Sequence, residues 1–234
     1  MEINIVSRNV LERIFCIRVG DSMGTAFVVD YADKNYLVTA KHLFQTSGYQ
    51  NKMNINIQYE NIWKPISAEI YYHETKDIDV AVIKTDFFKD RHFCGVKYES
   101  KEVLISQEVF LLGFPYGLST NQFSINKGYP IPIVKKGIFS GTINNNNNTQ
   151  VYLIDWDNNH GFSGGPLVFR KIAKDGYSDD EYIAGVIHGY QQHKIKVYNE
   201  DGSDTGLTAN ENSGIGFIYK IENVMEIIKK IEKN

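Results

Sequence analysis

Short runs of Val, Ile, Tyr and Phe recur along the chain and are separated by polar or glycine-containing breaks. β-branched and aromatic residues favour strands, and many short strands with turn signals between them are typical of an all-β barrel or sandwich. The pattern therefore predicts a mainly β protein. The segments that carry it are IFCIRV, TAFVVDY, NYLVTA, MNINIQY, ISAEIYY, DVAVIKT, EVFLLGF, QVYLIDW, GPLVFR, YIAGVIHGY and GIGFIYKI.

Only the two ends of the chain have a helical pattern. The segment SRNVLERI near the start predicts one or two helical turns. At the other end, IENVMEIIKKIEK places Ile221, Val224 and Ile228 on one face of a helix. We expect this last helix to pack its apolar face against a barrel wall.

Three polar stretches interrupt the strand pattern. The charge-rich segment 89–108 is the expected connection between two halves of the chain, and the asparagine run 144–148 is an expected hairpin tip. Segment 191–213 is polar and contains glycine, so it predicts a loop that is long for a compact domain. Long loops of this kind often carry function.

Charge and composition narrow the class of partner. The 234 residues carry a net charge of −3 and contain no cluster of Lys and Arg with aromatic residues between them, so we expect no nucleic-acid partner. The first residues lack the pattern of a secretory signal, and no apolar run approaches a membrane span. Cys16 and Cys94 lie in apolar contexts and are expected to be two buried free thiols of a reducing compartment. These features predict a cytoplasmic protein with no membrane partner.

The segment GFSGGP, residues 161–166, is a candidate for nucleophilic chemistry. Acyl transfer needs a nucleophilic oxygen on a tight turn, with backbone N–H groups beside it that bind a negative oxygen. Glycines on both sides of Ser163 allow that backbone geometry. A bare GxSGG segment is also compatible with a simple hairpin turn, so the partners of the serine decide the interpretation.

Two further segments supply candidate partners. His42 follows the strand-like NYLVTA, and an imidazole can accept a proton from the serine and return it to a leaving amine. Asp79 immediately precedes an apolar run, where its carboxylate could hold the other nitrogen of the imidazole. Asp77, two residues earlier, is the competing candidate.

The three motifs VTAKH, DVAVIK and GFSGGPLV together resemble the trypsin-like peptidase family, which has the chain order His, Asp, Ser. The resemblance implies a chymotrypsin-like double β-barrel that ends in an α-helix, with residues 1–100 carrying His42 and Asp79 and residues 101–234 carrying Ser163. It implies a serine endopeptidase that forms an acyl-enzyme, and it favours Asp79 over Asp77. The backbone N–H groups of Gly161 and Ser163 would form the oxyanion hole.

Phe162 departs from the digestive members of that family, which carry an aspartate there. This departure argues against activation by a newly cleaved N-terminus, since the aspartate that would pair with it is missing. The resemblance therefore points to the disulfide-free bacterial branch, similar to the HtrA-type and glutamyl endopeptidases. Regulation is expected from loop ordering or from an activating protein partner.

Three residues are candidates for the substrate pocket, and they predict opposite preferences. Asp157 lies where a trypsin-like pocket carries a carboxylate for Arg or Lys, whereas His188 lies near the histidine that receives an acidic side chain in glutamyl endopeptidases. Tyr190 follows His188 in the same segment. The alternatives are a solvated turn for Asp157 and a structural role for His188, bonded to backbone or supporting Asp79.

No cofactor or metal is expected, because His73, His92 and His193 form no metal-ligand spacing with one another or with the cysteines. The expected partner is a protein or peptide substrate. A hypothesis from another class is a protease-fold binding or regulatory module that is catalytically silent.

Overall fold

The computed structural model describes residues 4–120, 126–144, 149–173 and 176–233, and strands dominate it. Antiparallel pairing accounts for almost every ladder, as the sequence of short strands and turns requires. The elements in chain order are α1 Arg8–Leu11, β1 Ile14–Val19, β2 Ser22–Tyr31, β3 Lys34–Thr39, β4 Lys52–Tyr59, β5 Ile62–Tyr72, β6 Ala81–Lys84, β7 Val96–Tyr98, β8 Glu108–Gly113, β9 Ile133–Asn144, β10 Gln150–Asp155, β11 Pro166–Ala173, β12 Gly176–Tyr198, β13 Asp204–Lys220 and α2 Ile221–Lys233.

The first six strands form a closed barrel in the order β1-β2-β3-β6-β5-β4. Side chains alternate between the two faces of a strand, so every strand sends one set of apolar residues into the barrel. Phe15, Val28, Leu37 and Ile55 belong to this interior and are fully buried.

The remaining strands form a second sheet in the order β11-β8-β9-β10-β13-β12-β7, and β11 also pairs with β12, which closes the ring of six strands. Leu111, Ile154, Phe169 and Ile218 fill its interior. The short strand β7 lies outside the ring and pairs parallel to β12. The predicted all-β double barrel with a C-terminal helix is confirmed.

A third apolar cluster joins the two barrels and the last helix. It contains Val38 of β3, Leu112 of β8, Val186 of β12 and Val224 of α2, all fully buried. Helix α2 buries the predicted apolar face and therefore holds the outer surfaces of both barrels together.

The expectations about the three irregular segments have different outcomes. Segment 191–213 is not a loop, because most of it forms the paired ends of β12 and β13. Connection 89–108 contains β7, which the sequence pattern did not predict. Of the asparagine run, residues 145–148 lie outside the described residues, and Asn144 is the last residue of β9.

The two cysteines differ in exposure. Cys16 is buried on β1, as expected, whereas Cys94 is exposed in the connection before β7, so the prediction of two buried thiols was wrong for Cys94. Apolar neighbours in the sequence were therefore not sufficient to predict whether Cys94 is buried.

Across the part of the chain that the structure describes, no helix is both long enough and apolar enough to cross a membrane.

Candidate active site

His42 and Asp79 are joined by two hydrogen bonds at the rim of the first barrel. His42 lies in a 3₁₀ turn, Lys41–Phe44, which follows the end of β3. Its backbone N–H donates to Asp79 Oδ1 at 2.7 Å, and its Nδ1 lies 2.6 Å from Asp79 Oδ2. One carboxylate therefore holds both the backbone N–H and the imidazole ring of His42.

Asp79 lies two residues before β6, and only 8% of it is exposed. Burial raises the pKa of its carboxyl, but hydrogen bonds from His188 and His42 outweigh burial, so the pKa lies well below its ordinary value. Asp79 thus remains an anion near neutral pH. The competing candidate, Asp77, has an exposed side chain, and its backbone carbonyl accepts a hydrogen bond from the Tyr219 hydroxyl.

A second imidazole shares the same carboxylate oxygen. His188, on β12 of the second barrel, places its Nδ1 2.5 Å from Asp79 Oδ2. The centroids of the His42 and His188 rings are 5.8 Å apart. His188 is therefore hydrogen-bonded to Asp79. Support of Asp79 was the alternative that the sequence offered to a role of His188 in the substrate pocket.

The cluster His42, Asp79 and His188 has the residue types of a metal site, with its ligand atoms all within 4.8 Å of one another. However, both Nδ1 atoms lie within 2.6 Å of the carboxylate oxygen. Two ligands of a tetrahedral zinc ion with bonds near 2.0 Å lie about 3.3 Å apart. The observed spacing therefore fits direct hydrogen bonds better than coordination of an ion.

Ser163 lies on the turn between β10 and β11, at the contact of the two barrels. Its Oγ donates to the carbonyl oxygen of His188 at 3.3 Å. Among the described residues, no hydrogen bond joins this hydroxyl to the His42 ring. The backbone carbonyl of Ser163 accepts from the N–H of Thr25 at 2.9 Å, which fixes the turn against β2.

The peptide between His160 and Gly161 has a defined orientation. The carbonyl of His160 accepts from the N–H of Tyr116 at 2.7 Å. In a planar trans peptide the N–H points opposite to the C=O, so the N–H of Gly161 points away from Tyr116. Gly161 has φ = +103°, and a Cβ there would lie 2.2 Å from the carbonyl oxygen of Phe114, so this position accepts only glycine.

Thr25 is a residue that the sequence analysis did not single out. Its fully buried hydroxyl donates to the carbonyl of Gly161 at 2.7 Å and accepts from the N–H of Phe114 at 3.0 Å. One side chain of the first barrel thereby fixes two loops of the second. Nothing local in the sequence could reveal it, because the bonded residues are 136 and 89 positions apart.

Asp157 and Tyr190 are the two remaining candidates for the substrate pocket. The carboxylate of Asp157 is 72% exposed and lies 3.5 Å from Lys135 Nζ, and it accepts from Asn212 Nδ2 at 3.1 Å. Tyr190 is half-buried on β12, where it pairs with Gly216 of β13. A preference for Arg or Lys stays a prediction, and the Lys135 ammonium lies beside the carboxylate on which it depends.

Phe162 is fully buried and packs edge-on against Trp156, with ring centroids 5.0 Å apart. The position between the two candidate oxyanion N–H groups is therefore filled by apolar packing.

The family model described as "Trypsin-like peptidase domain" matches residues 24–171, more than half of the chain, and this range includes His42, Asp79 and Ser163. The chain belongs to the trypsin-like peptidase family. Membership in this family makes it a serine endopeptidase, and the resemblance stated from the motifs is confirmed. A search of curated proteins found no significant match.

Solved structures of bacterial proteases share the trypsin-like fold of this chain. The HtrA-type protease AlgWS227A with tripeptide has a TM-score of 0.61 and 18% identity, over 97% of this chain and 64% of that one. The serine endoprotease from Yersinia pestis has a TM-score of 0.60 and 18% identity, over 100% and 69%. The active form of the Rv3671c protease from M. tuberculosis has a TM-score of 0.56 and 19% identity, over 95% and 82%.

Proposed function

We propose that this trypsin-like peptidase hydrolyses peptide bonds through an acyl-enzyme intermediate, with Ser163 as nucleophile, His42 as general base and acid, and Asp79 as the orienting anion. The observation that carries the proposal is the pair of bonds from His42 to the two oxygens of Asp79. Because the anionic carboxylate accepts, Nδ1 of His42 carries the proton and Nε2 is left as the proton acceptor.

The Ser163 hydroxyl must rotate about the Cα–Cβ bond before it can react. In the resting arrangement Ser163 Oγ donates to the carbonyl of His188. Turning about the Cα–Cβ bond to another staggered rotamer redirects the hydroxyl, and we propose that the productive rotamer donates to Nε2 of His42. Catalytic hydrogen bonds of this kind often tighten only when substrate is bound.

The reaction then proceeds in two halves. Ser163 Oγ attacks the scissile carbonyl carbon while its proton passes to His42 Nε2, and the carbonyl oxygen becomes an oxyanion. His42 returns the proton to the leaving amine, which departs and leaves an ester on Ser163. A water molecule gives a proton to His42 Nε2 and attacks the ester carbon. The bond from that carbon to Ser163 Oγ then breaks, His42 returns the proton to Oγ, and the acid product leaves.

The N–H groups of Gly161 and Ser163 are the proposed oxyanion hole. The bond from Tyr116 to the carbonyl of His160 supports this assignment, because it directs the N–H of Gly161 away from Tyr116. The bond from Thr25 to the carbonyl of Gly161 supports it as well, because it holds the next peptide. Donors that are fixed before the charge develops stabilise a transition state most effectively.

The proposed substrate is a protein or peptide. One structural neighbour is an HtrA-type protease with a tripeptide, which is consistent with peptide binding on this fold. The two candidate preferences for the side chain before the scissile bond are a basic residue, from Asp157, and an acidic residue, from His188.

Labelling with a fluorophosphonate tests the proposal against the catalytically silent alternative. We expect the reagent to modify wild-type protein at Ser163, to leave Ser163→Ala unmodified, and to react much more slowly with His42→Ala. Absence of labelling at Ser163 in folded wild-type protein, with peptide substrates also uncleaved, would favour the silent binding module.

A further inference from the structure

Asp79 accepts hydrogen bonds from two imidazoles at one oxygen, one from each barrel. The Nδ1 atoms of His42 and His188 lie 2.6 Å and 2.5 Å from Asp79 Oδ2, and the backbone N–H of His42 occupies Oδ1. An anionic carboxylate can only accept, so both rings present Nδ1–H to it, and in a neutral ring the lone pair then lies on Nε2.

We propose that His188 is a positioning residue of the catalytic machinery: by donating Nδ1–H to Asp79 Oδ2 it fixes the carboxylate in the orientation that holds His42 and moderates the negative charge felt by His42. The inference rests on the proposed function of the triad. It assigns His188 to Asp79 rather than to recognition of an acidic substrate side chain.

Two features of the surroundings support a positioning role. Asp79 is nearly buried, and a buried carboxylate needs donors to remain ionised and to keep one rotamer. The hydrogen bonds from His188 and His42 hold the pKa of Asp79 below its ordinary value against the opposing effect of burial. The backbone of His188 contributes too, since its carbonyl accepts from Ser163 Oγ at 3.3 Å.

Groups from three other elements face the His188 ring. His42 comes from the turn after β3, Asp79 comes from the segment before β6, and Tyr219 comes from β13 with its ring centroid 5.4 Å away. Only Asp79 is an anion at neutral pH in this set. Removal of His188 therefore leaves Asp79 with His42 as its sole side-chain donor among these groups.

Nuclear magnetic resonance of ¹⁵N-histidine-labelled protein tests the shared oxygen without any need for activity. We expect two strongly downfield Nδ1–H signals in the wild type, one from each ring. The His188→Leu variant should lose one signal. The remaining signal, from His42, should move further downfield, because Oδ2 then accepts from one ring instead of two and that hydrogen bond becomes stronger. An unchanged His42 signal in a folded His188→Leu variant would overturn the proposal.

Kinetics separate positioning from substrate recognition. His188→Leu should lower kcat/KM about tenfold, the effect of one charge-assisted hydrogen bond, with KM nearly unchanged. His188→Asn should restore most of this loss, because Asn Nδ2 replaces the Nδ1–H donor.

The preference for the side chain before the scissile bond should be the same in all three proteins. A selective loss of cleavage after acidic residues with a raised KM would contradict the positioning role and place His188 in the substrate pocket. Failure of the proposed function is distinguishable, because it would appear as unlabelled Ser163 in wild-type protein while the two Nδ1–H signals remain.

Discussion

At the scale of single residues, Asp79 determines how the site responds to acid. Its folded-state pKa lies below the ordinary value of 3.8 because the hydrogen bonds from His188 and His42 outweigh burial. The unfolded chain therefore binds this proton more readily than the folded chain does. The stabilising contribution of Asp79 is complete above about pH 4 and is lost as the pH falls toward the folded-state pKa.

Melting temperatures between pH 7 and pH 3 test this contribution. We expect wild-type protein to lose stability below about pH 4, and Asp79→Asn to lose less over the same range because it has no carboxyl to protonate. Asp77→Asn is the matched control, since that side chain is exposed, and it should follow the wild-type curve. Equal acid dependence in wild type and Asp79→Asn would contradict the role given to the two histidines.

Thr25 also connects the two barrels through a single side chain. Its hydroxyl satisfies the carbonyl of Gly161 and the N–H of Phe114, both beside the candidate oxyanion hole. We expect Thr25→Val, which keeps the shape, to cost about 1–3 kcal/mol of unfolding free energy, because it leaves two buried polar groups unpaired.

The same variant should also slow the reaction of Ser163 with a fluorophosphonate, because the loop that carries Gly161 is less firmly held. Thr25→Ser retains the hydroxyl and should recover the labelling rate. Full labelling by a folded Thr25→Val would show that the loop needs no support from the first barrel.

At the scale of elements, the ends of β12 and β13 form an arm that contributes little burial. From residue 191 to residue 210 every position is exposed or half-exposed, although the two strands are paired from Gln192 and Asn212 outward. An isolated two-stranded ribbon is marginally stable, so the arm depends on the barrel and not the reverse.

A shortened variant tests that dependence. Deleting residues 194–210 and joining His193 to Glu211 with an Asn-Gly turn retains a cross-strand pair and keeps Asn212, whose side chain donates to the carbonyl of Asn158. We expect the melting temperature to change by less than about 3 °C. A much larger loss would mean that the arm supports the barrel fold.

Helix α2 has the opposite role. Ile228 is fully buried in the cluster that joins the barrels, whereas Lys229 beside it is exposed. Denaturant unfolding should show Ile228→Ala to be destabilised by about 2–5 kcal/mol, and Lys229→Ala should remain within about 0.5 kcal/mol of wild type. Similar values for the two variants would contradict the packing role of the helix.

The strands that the sequence did not predict lack the alternation of buried apolar and exposed polar residues by which a strand is predicted. Strand β9 exposes the apolar Val134, Ile138 and Ile143, so its pattern does not follow burial. Arm segment 191–213 is polar because both of its faces contact solvent, and its strands are set by pairing rather than by a core. Helix α2 was predictable because its apolar residues recur at helical spacing and form a single buried face.

At the scale of the whole molecule, the site depends on three segments that converge from distant parts of the chain. The spacing of VTAKH, DVAVIK and GFSGGPLV was enough to predict the family and the contact between His42 and Asp79. The sequence offered the second imidazole on Asp79 only as one of several roles for His188, and it could not reveal the clamp at Thr25. Both contacts join the two barrels, so they depend on how the barrels pack.

Several expectations at this scale stay predictions. The division into residues 1–100 and 101–234, the cytoplasmic location and an activating protein partner are examples. Strand β7 bears on the first of them, because residues 96–98 pair with β12 of the second sheet.

Intact-protein mass spectrometry during turnover of an activated acyl ester tests the central claim most directly. The account predicts a transient adduct of the acyl group that maps to Ser163, decays as product forms in wild-type protein, and is missing from Ser163→Ala. Continued turnover by Ser163→Ala, or an acyl adduct on another residue in the wild type, would contradict it.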